Sequence, residues 1–125
     1  MGPPLALGNH WQVDQMPKML RGSLLTRYET RARVMKALAH PTRLFIVDEL
    51  AAGPRCVCEL TAMIGADVST VSKHLAVLRS AGIVADERRG AQVFYALRTP
   101  CVRSWPTCVE GVLAADARRA RRAAG

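Results

Sequence analysis

The 125-residue sequence lacks the features that define several classes of protein. No apolar run approaches the roughly 20 residues that a membrane-spanning helix needs. The first residues, MGPPLALGNHW, have neither the basic segment nor the long apolar segment of a secretory signal. The chain also has no Gly-rich phosphate loop, no paired carboxylates in a plausible cleft and no nucleophile–base spacing. We therefore expect a cytoplasmic protein that is not an enzyme, has no organic cofactor and does not contact a membrane.

Acidic residues are few, and the chain has four cysteines. In a reducing cytosol, the four cysteines are more consistent with metal or redox chemistry than with structural disulfides. Lys and Arg number 18 against 10 Asp and Glu, which gives a net charge of +8 and favours a polyanionic partner. Half of that excess comes from four arginines in a segment, residues 118–125, that we interpret as a solvated basic tail. These are Arg118, Arg119, Arg121 and Arg122.

We expect one domain before this tail, over residues 23–117. Residues 1–22 are interpreted as an N-terminal arm, with a short helix near Trp11 to Met16. Thr26 and Glu29 have capping-box spacing and predict a helix from Thr26 to about Ala39. The dipeptide His40-Pro41 interrupts it and begins the next helix, with His40 interpreted as a cap or satisfied core residue.

The centre of the chain predicts a helix-turn-helix. Val57, Leu60 and Ile64 have the spacing of one buried helix face, and a break follows at Gly65-Ala66-Asp67. A second helix is predicted from an N-cap at Ser69 to Gly82. Its buried face comprises Val71, Leu75 and Leu78.

The polar residues of the second helix are the predicted DNA contacts, because such a helix inserts its N-terminal part into the major groove. They are Ser69, Thr70, Ser72, Lys73 and His74. Ser69 and Thr70 are placed to bind phosphate at the helix N-terminus. Lys73 is the best candidate for a direct contact, and His74 is interpreted as a DNA contact or cap rather than a metal ligand.

Two short segments, Ile83 to Glu87 and Gln92 to Arg98, flank Arg88-Arg89-Gly90-Ala91 and predict a β-hairpin. A hairpin after a recognition helix is a wing. We expect Arg88 and Arg89 to form its basic tip and to contact the phosphate backbone, which fixes register without reading sequence.

The segment from Pro100 to about Arg119 predicts a terminal helix. Its apolar stripe comprises Cys101, Trp105, Cys108 and Val112. Such a stripe favours packing against the same helix of a second subunit. Pro106 disturbs this pattern, because proline inside a helix removes a hydrogen bond. The helix is therefore either kinked at Pro106 or begins near Ser104, which would leave Cys101 outside it.

This order of elements resembles the ArsR–SmtB family of bacterial metal-responsive repressors over about residues 27–115. The motifs that carry the resemblance are LAHPTRLFIVDELAAG, CVCEL, STVSKHLAVLRSAGIV and GAQVFYAL. The resemblance implies a mainly α-helical fold with a small β-hairpin, which is a winged helix-turn-helix that dimerises through its terminal helices. It also implies a homodimer that binds operator DNA and releases it when a toxic ion binds.

The family's CVC motif matches Cys56 and Cys58. Thiolates are soft ligands that select thiophilic ions. We extend this to trivalent arsenic and antimony, which bind three thiolates, and expect one of these ions as the inducer. Arsenic-responsive members often have a third cysteine where this chain has Thr61. The predicted third ligand is therefore Cys101 or Cys108, from the same subunit or across the dimer, with an exogenous thiol or water as the alternative.

The spacing of the two cysteines restricts how they bind an ion. At about 100° per residue, positions 56 and 58 of a helix point roughly 200° apart and cannot share a small ion. Chelation therefore requires either that the start of the helix unwinds or that the pair lies in a non-helical lead-in. Thiols must also lose protons to bind, so the response should weaken as the pH falls.

Two other inducers remain open on the same fold. Cadmium or lead could be bound by four cysteines, although the N-terminal arm contributes none. A thiol redox or sulfane-sulfur switch would use a disulfide between Cys101 and Cys108, or between one of them and the CVC pair. A family-type zinc site of His and carboxylate ligands on the terminal helix is not expected, since no histidine follows His74.

Overall fold

A computed structural model describes residues 22–125. The side chains left undescribed in this range are those of Pro100, Arg103 and Trp105. The predicted arm and its short helix therefore lie outside the described residues, apart from Gly22. The chain divides into two units, Met1–Arg33 and Val34–Gly125, and each is considered by itself.

Helices dominate the described residues, with one small sheet, as predicted. The helices are α1 Ser23–Leu38, α2 Pro41–Ala51, α3 Val57–Ile64, α4 Val68–Ser80 and α5 Trp105–Ala124, and a 3-10 helix spans Pro100–Arg103. The strands are β1 Arg55–Cys56, β2 Val84–Arg89 and β3 Gln92–Leu97. Because α3 and α4 are joined by a tight turn and followed by the β2–β3 hairpin, the fold is a winged helix-turn-helix.

The core of the larger unit lies between α2, α3, α4 and the sheet. Its fully buried side chains are Ile46, Val47, Leu50, Leu60, Val71, Leu75, Leu78 and Val84. The predicted buried face of α4 is thus confirmed. On α3, Leu60 is fully buried while Val57 and Ile64 are half-buried.

Helix α1 begins one turn earlier than predicted. The backbone N–H of Thr26 donates to the Gly22 carbonyl at 3.1 Å, which is an ordinary helical bond. The interpretation of Thr26 as an N-cap with Glu29 is therefore wrong, because Thr26 already lies inside the helix. Helix α2 begins as predicted: His40 is extended, and its Nδ1 accepts a hydrogen bond from the Thr42 N–H at 3.1 Å.

The turn between α3 and α4 was predicted, but the start of α4 was not. Gly65 ends α3 in the left-handed conformation, with φ of 75°. Asp67, not Ser69, is the N-cap of α4, since Val68 already has helical geometry. The prediction of Ser69 as the N-cap is thus wrong by two residues.

The sheet has three antiparallel strands in the order β1–β3–β2. The register of the wing runs from Val84 opposite Leu97 to Arg89 opposite Gln92. Arg88 and Arg89 therefore belong to β2, and the predicted tip shortens to Gly90-Ala91. Strand β1 was not predicted, because two residues carry no alternating pattern.

The terminal helix resolves the two alternatives for Pro106. A 3-10 helix contains Cys101, and Pro106 lies in the first turn of α5, where its missing N–H leaves no helical bond unmade. Cys101 is thus outside α5, and the predicted stripe is interrupted. Helix α5 continues to Ala124, so the segment predicted as a solvated basic tail is the exposed end of this helix. No helix within residues 22–125 is long and apolar enough to cross a bilayer.

Candidate nucleic-acid interface and cysteine site

Cys56 and Cys58 lie at the junction of the sheet and α3. Cys56 is the second residue of β1 and the N-cap of α3, and Cys58 is in the first turn. The two are joined by a disulfide, with their Cα atoms 5.3 Å apart. Cys56 has an extended backbone, with φ of −79° and ψ of 159°. Only Cys56 therefore lies in a non-helical lead-in, whereas Cys58 is in the helix, so the separation expected for two positions of one helix does not apply.

Cys56 also completes a capping box. Its Sγ accepts a hydrogen bond from the Glu59 N–H at 3.3 Å, and Glu59 Oε1 accepts one from the Cys56 N–H at 3.3 Å. Arg55 holds Glu59 through a 3.2 Å ion pair and approaches Glu49 at 3.7 Å. The sulfur of Cys56 is thus both a candidate ligand and a part of the α3 cap.

The two other cysteines are separate from this pair. Cys101 and Cys108 are exposed free thiols, so the disulfides predicted for the redox alternative are absent from the structure. Among residues 22–125 of one chain, no three His, Cys, Asp or Glu side chains are gathered in an arrangement that could hold a metal ion. Thr61 is half-buried, and its hydroxyl has no hydrogen-bond partner among the described residues.

A groove of about 370 Å³ lies beside the cysteine pair. Its walls come from the start of α3, the start of α4 and the wing. The residues that line it include Cys56, Cys58, Val68, Ser72, Ala91 and Gln92. Gln92 Nε2 lies 3.9 Å from Cys58 Sγ, within the range of a weak hydrogen bond to sulfur. The candidate sensing residues and the candidate DNA-binding elements therefore share one groove.

The N-terminal part of α4 exposes most of the predicted DNA contacts. Ser72 and Lys73 are exposed, as are Ser69 and Thr70. The hydroxyls of Ser69 and Thr70 both donate to the Asp67 carboxylate. These two hydrogen bonds, that from Ser69 being the larger influence, lower the pKa of Asp67. Any phosphate that approaches Ser69 or Thr70 would therefore meet a carboxylate that already occupies their hydroxyls.

His74 faces α2 rather than the outer surface of α4. Its Nδ1 lies 3.2 Å from an Arg43 guanidinium nitrogen, and its ring centroid lies 4.4 Å from that of His40. Arg43 also donates through Nε to the Ala37 carbonyl. Burial, followed by the neighbouring His40 and Arg43, lowers the pKa of His74. The structure thus separates His74 from the other predicted DNA contacts.

Both arginines of the wing are exposed. Arg88 Nε donates to the Gly90 carbonyl at 3.3 Å, which ties it to the turn. Arg89 pairs with Glu87 at 3.3 Å and lies over the Phe94 ring, 4.9 Å from its centroid. The wing therefore presents its positive charge beside the turn, with part of it offset by Glu87.

Two supporting residues were missed by the sequence interpretation. Glu59 follows Cys56 by three residues, which is the spacing of a capping box with cysteine in place of serine, so this contact was detectable. Gln92 carries no comparable sequence signal. Its proximity to Cys58 arises only because β3 pairs with β1.

Comparison with known proteins agrees with this geometry. Residues 40–86 match the family described as "Bacterial regulatory protein, arsR family". The chain is 39% identical over 89 residues to the biofilm growth-associated repressor of Xylella fastidiosa strain 9a5c, which covers 71% of this chain and 78% of that protein.

Two solved structures are similar in fold. Mycobacterium tuberculosis Rv0081 superposes with a TM-score of 0.67 at 34% identity, covering 74% of this chain and 94% of that one. A homodimeric winged helix-turn-helix DNA-binding domain, Mb0332 from Mycobacterium bovis, gives a TM-score of 0.67 at 32% identity and covers 76% and 88%. The protein is a transcriptional repressor that belongs to the ArsR family.

Proposed function

We propose that this repressor leaves its operator when trivalent arsenic or antimony binds the thiolates of Cys56 and Cys58. The observation that supports this is the meeting of the two sulfurs at the start of α3, where Cys56 has an extended backbone and Cys58 lies in the first turn. Arsenite would react with the reduced pair by condensation. Two As–S bonds form and two As–OH bonds break. Each displaced hydroxide combines with one thiol proton and leaves as water.

The third arsenic ligand must come from a donor other than Cys56 and Cys58. Cys101 and Cys108 are accessible thiols, and within one described chain neither joins a three-residue group with the CVC pair. We propose that one of them completes the site from a second subunit. An exogenous thiol or water is the alternative, favoured by the exposure of Cys58.

Operator binding is assigned to α4 and the wing. Ser72 and Lys73 would enter the major groove, while Arg88 and Arg89 would contact phosphates. The large apolar side chains that α5 exposes include Val109, Val112 and Leu113. We propose that they pack against a second subunit, so that two recognition helices meet two half-sites.

Lys73 tests this docking. Lys73→Ala should weaken operator binding and reduce the salt slope by about one phosphate contact. The salt dependence of the operator dissociation constant measures this, with Lys36→Ala on α1 as the control for loss of one positive charge. An unchanged slope in Lys73→Ala would show that the orientation of α4 is wrong.

The strand pairing suggests how the ion lowers DNA affinity. Cys56 pairs through its backbone with Phe94 of β3, so a change at the cysteine pair acts on the wing sheet directly. It also acts on α4, which follows α3 after three residues. Coupling between two sites is reciprocal, so operator DNA should weaken arsenite binding by the same factor.

The deciding experiment is a fluorescence-anisotropy titration of the reduced protein on DNA from its own promoter. Arsenite and antimonite should each weaken binding by about 5- to 150-fold, the usual range of allosteric coupling. Cadmium, lead and zinc are titrated in parallel. Release by cadmium or lead but not by arsenite would keep the site and replace the ion, and no operator binding at all would remove the basis of the proposal.

A second candidate function uses the same pair without a metalloid. The structure joins Cys56 and Cys58 as a disulfide, which favours a redox switch at these residues rather than at Cys101 and Cys108. A hydroperoxide would supply the oxidation: two thiols and one hydrogen peroxide give one disulfide and two waters. Release by peroxide or polysulfide, reversed by a dithiol reductant and absent with arsenite, would favour this candidate.

A further inference from the structure

The last two turns of α5 carry a cluster of exposed arginines, and all residues from 116 to 125 are exposed. Arg119 lies 3.9 Å from the Asp116 carboxylate and is partly neutralised by it. The other three arginines form no ion pair with any residue in the range 22–125. These three, called the basic face below, are Arg118, Arg121 and Arg122.

The basic face lies opposite the exposed apolar side chains of α5. At about 100° per residue, its three arginines point within an arc of about 100° around the helix axis. The apolar side chains Val109, Val112 and Leu113 occupy a second arc of about 100°, centred about 180° from the first. A neighbour that covers the apolar side of α5 therefore leaves the basic face accessible.

Complementing the helix dipole explains only part of the basic face. Positive charge in the last turn of a helix is favourable, because the carbonyl groups there carry partial negative charge. Arg121 and Arg122 lie in that turn, but Arg118 precedes it. Arg118 and Arg122 are also four residues apart, a spacing at which like charges repel one another. Binding of an anion to the face relieves this repulsion.

We propose that the basic face of α5 binds backbone phosphates of the DNA that flanks the operator. Duplex DNA carries one negative charge per about 1.7 Å of its axis. The basic face carries three positive charges over about 6 Å of helix axis, so the two charge densities are similar. Guanidinium groups also match phosphate oxygens through paired hydrogen bonds. The contact reads no sequence, because it involves the backbone alone.

Attachment to the operator favours DNA over an acidic protein as the partner of this face. Helices α4 and α5 belong to the same compact unit, Val34–Gly125, so binding through α4 holds α5 near the DNA. Phosphates outside the operator are then present at a high effective concentration. Contacts that are weak by themselves therefore add to the total affinity of the repressor.

The salt dependence of DNA affinity tests this proposal in the full-length reduced protein without inducer. Binding is measured by fluorescence anisotropy on the operator alone and on the operator extended by about 10 base pairs, one helical turn, at each end. Replacing all three arginines of the basic face by glutamine should reduce the salt slope on the extended DNA. The expected reduction is about 2.7 for each subunit that binds, at about 0.9 per phosphate contact. The slope on the operator alone should not change.

Three further variants separate the position of the charges from their number. Replacing the same three arginines by lysine keeps the charges and should keep most of the wild-type slope. Glutamine at Arg27, Arg31 and Arg33 of α1 removes an equal net charge and should leave the difference between the two DNAs unchanged. Arg118→Gln alone keeps both arginines of the last turn and should reduce the slope on the extended DNA by about 0.9.

Three results would overturn the proposal. An unchanged slope on the extended DNA, in the triple glutamine variant and in Arg118→Gln, would show that the basic face does not bind flanking phosphates. Equal losses on the two DNAs would place the contact within the operator. An equal loss in the α1 variant would assign the effect to net charge. Circular dichroism and sedimentation velocity check that α5 and the oligomeric state are retained, and Arg118→Gln decides the question if the triple variant loses either.

Discussion

Cys56 and Cys58 lie where a strand of the wing sheet becomes α3, whereas Cys101 and Cys108 lie on a 3-10 helix and on α5. Cys56 is buried, caps α3 through its sulfur and pairs with β3 through its backbone. Cys101 and Cys108 are exposed free thiols. The same residue type is thus part of the folded core in one region and a surface group in the other.

This difference matters for signalling because a ligand can shift an equilibrium only through interactions that differ between two states. A ligand on the first pair changes a helix cap and a strand end that touch the wing. A ligand on Cys101 or Cys108 alone changes a side chain on the surface of one subunit. We therefore assign the primary sensing role to the first pair and a completing role to the second.

The largest expected contrast between the two regions is in stability. Leu60 of α3 is fully buried, whereas Leu113 of α5 is exposed. Leu60→Ala therefore leaves a cavity and should lower the free energy of unfolding by about 2–5 kcal/mol. Leu113→Ala should change the same quantity by about 0.5 kcal/mol or less within one chain, as is usual for a surface substitution. Urea denaturation measures both values.

The same two variants, Leu60→Ala and Leu113→Ala, also test the proposed dimer interface. Leu113→Ala should raise the dissociation constant of the dimer in sedimentation velocity, since α5 is proposed to pack against a second subunit. Equal dimerisation of wild type and Leu113→Ala would place the subunit interface elsewhere. A Leu60→Ala variant no less stable than Leu113→Ala would contradict the position of Leu60 in the core.

The next contrast is in the response to arsenite. Cys56→Ser and Cys58→Ser should each abolish release, reducing a response of about 5- to 150-fold to less than about twofold. Of Cys101→Ser and Cys108→Ser, we expect only one to weaken arsenite binding, through loss of a single As–S bond, while retaining release at saturating arsenite. Operator anisotropy and direct arsenite titration measure the two quantities separately.

The control for this experiment is a mixture of subunits. If the third ligand comes from a second subunit, a Cys58→Ser subunit combined with one that lacks the completing cysteine should regain one arsenic site per dimer. Unchanged arsenite affinity in both Cys101→Ser and Cys108→Ser would instead assign the third position to a small thiol or hydroxide.

How far the sequence predicted this arrangement depends on the kind of signal each residue carries. The buried face of α4, with Val71, Leu75 and Leu78, follows from helical periodicity and was predicted correctly. The start of α4 was not, because Ser69 and Asp67 are both good N-cap residues and sequence does not show which one has extended geometry. Local pattern thus determined the faces of helices better than their ends.

The candidate site shows the same limit. The CVC motif was found from its spacing, but the extended backbone of Cys56 comes from its pairing with Phe94, far along the chain, and no local pattern reports such a contact. The inward direction of His74 likewise depends on Arg43 and His40. The sequence identified these residues as candidates. It could not predict their positions, because their neighbours come from distant parts of the chain.

A smaller contrast concerns the cap of α3. The Glu59 N–H donates to Cys56 Sγ, so Cys56→Ala leaves this donor without its acceptor. Loss of an N-cap acceptor should lower the stability of the reduced protein by about 1 kcal/mol. Cys56→Ser keeps an acceptor at the same position and should be the more stable of the two. Urea denaturation of both variants under reducing conditions measures the difference, and equal stabilities would show that the sulfur does not cap α3.

The smallest expected effect is on the pH dependence of stability, and it involves no cysteine. His74 of α4 contacts Arg43 of α2 and His40, the N-cap of α2. An arginine can only donate, so His74 Nδ1 must accept and is unprotonated in the folded protein. Burial, with His40 and Arg43 nearby, lowers the pKa of His74 from its ordinary value. As the pH falls, the unfolded chain therefore takes up this proton before the folded one does.

The resulting stabilisation is complete above a pH of about 6.5, the ordinary histidine pKa, and is lost as the pH falls from there through the folded-state pKa. Free energies of unfolding measured between about pH 7.5 and about pH 5 should decline in wild type and decline less in His74→Gln, whose amide oxygen can still accept from Arg43 without titrating. Cys58→Ser, which leaves this cluster unchanged, should follow wild type. A pH dependence that His74→Gln does not reduce would assign the decline to other groups. If His74→Gln also keeps full release by arsenite, then acid and arsenite act on α4 through different contacts, and the sensing role belongs to the cysteine pair.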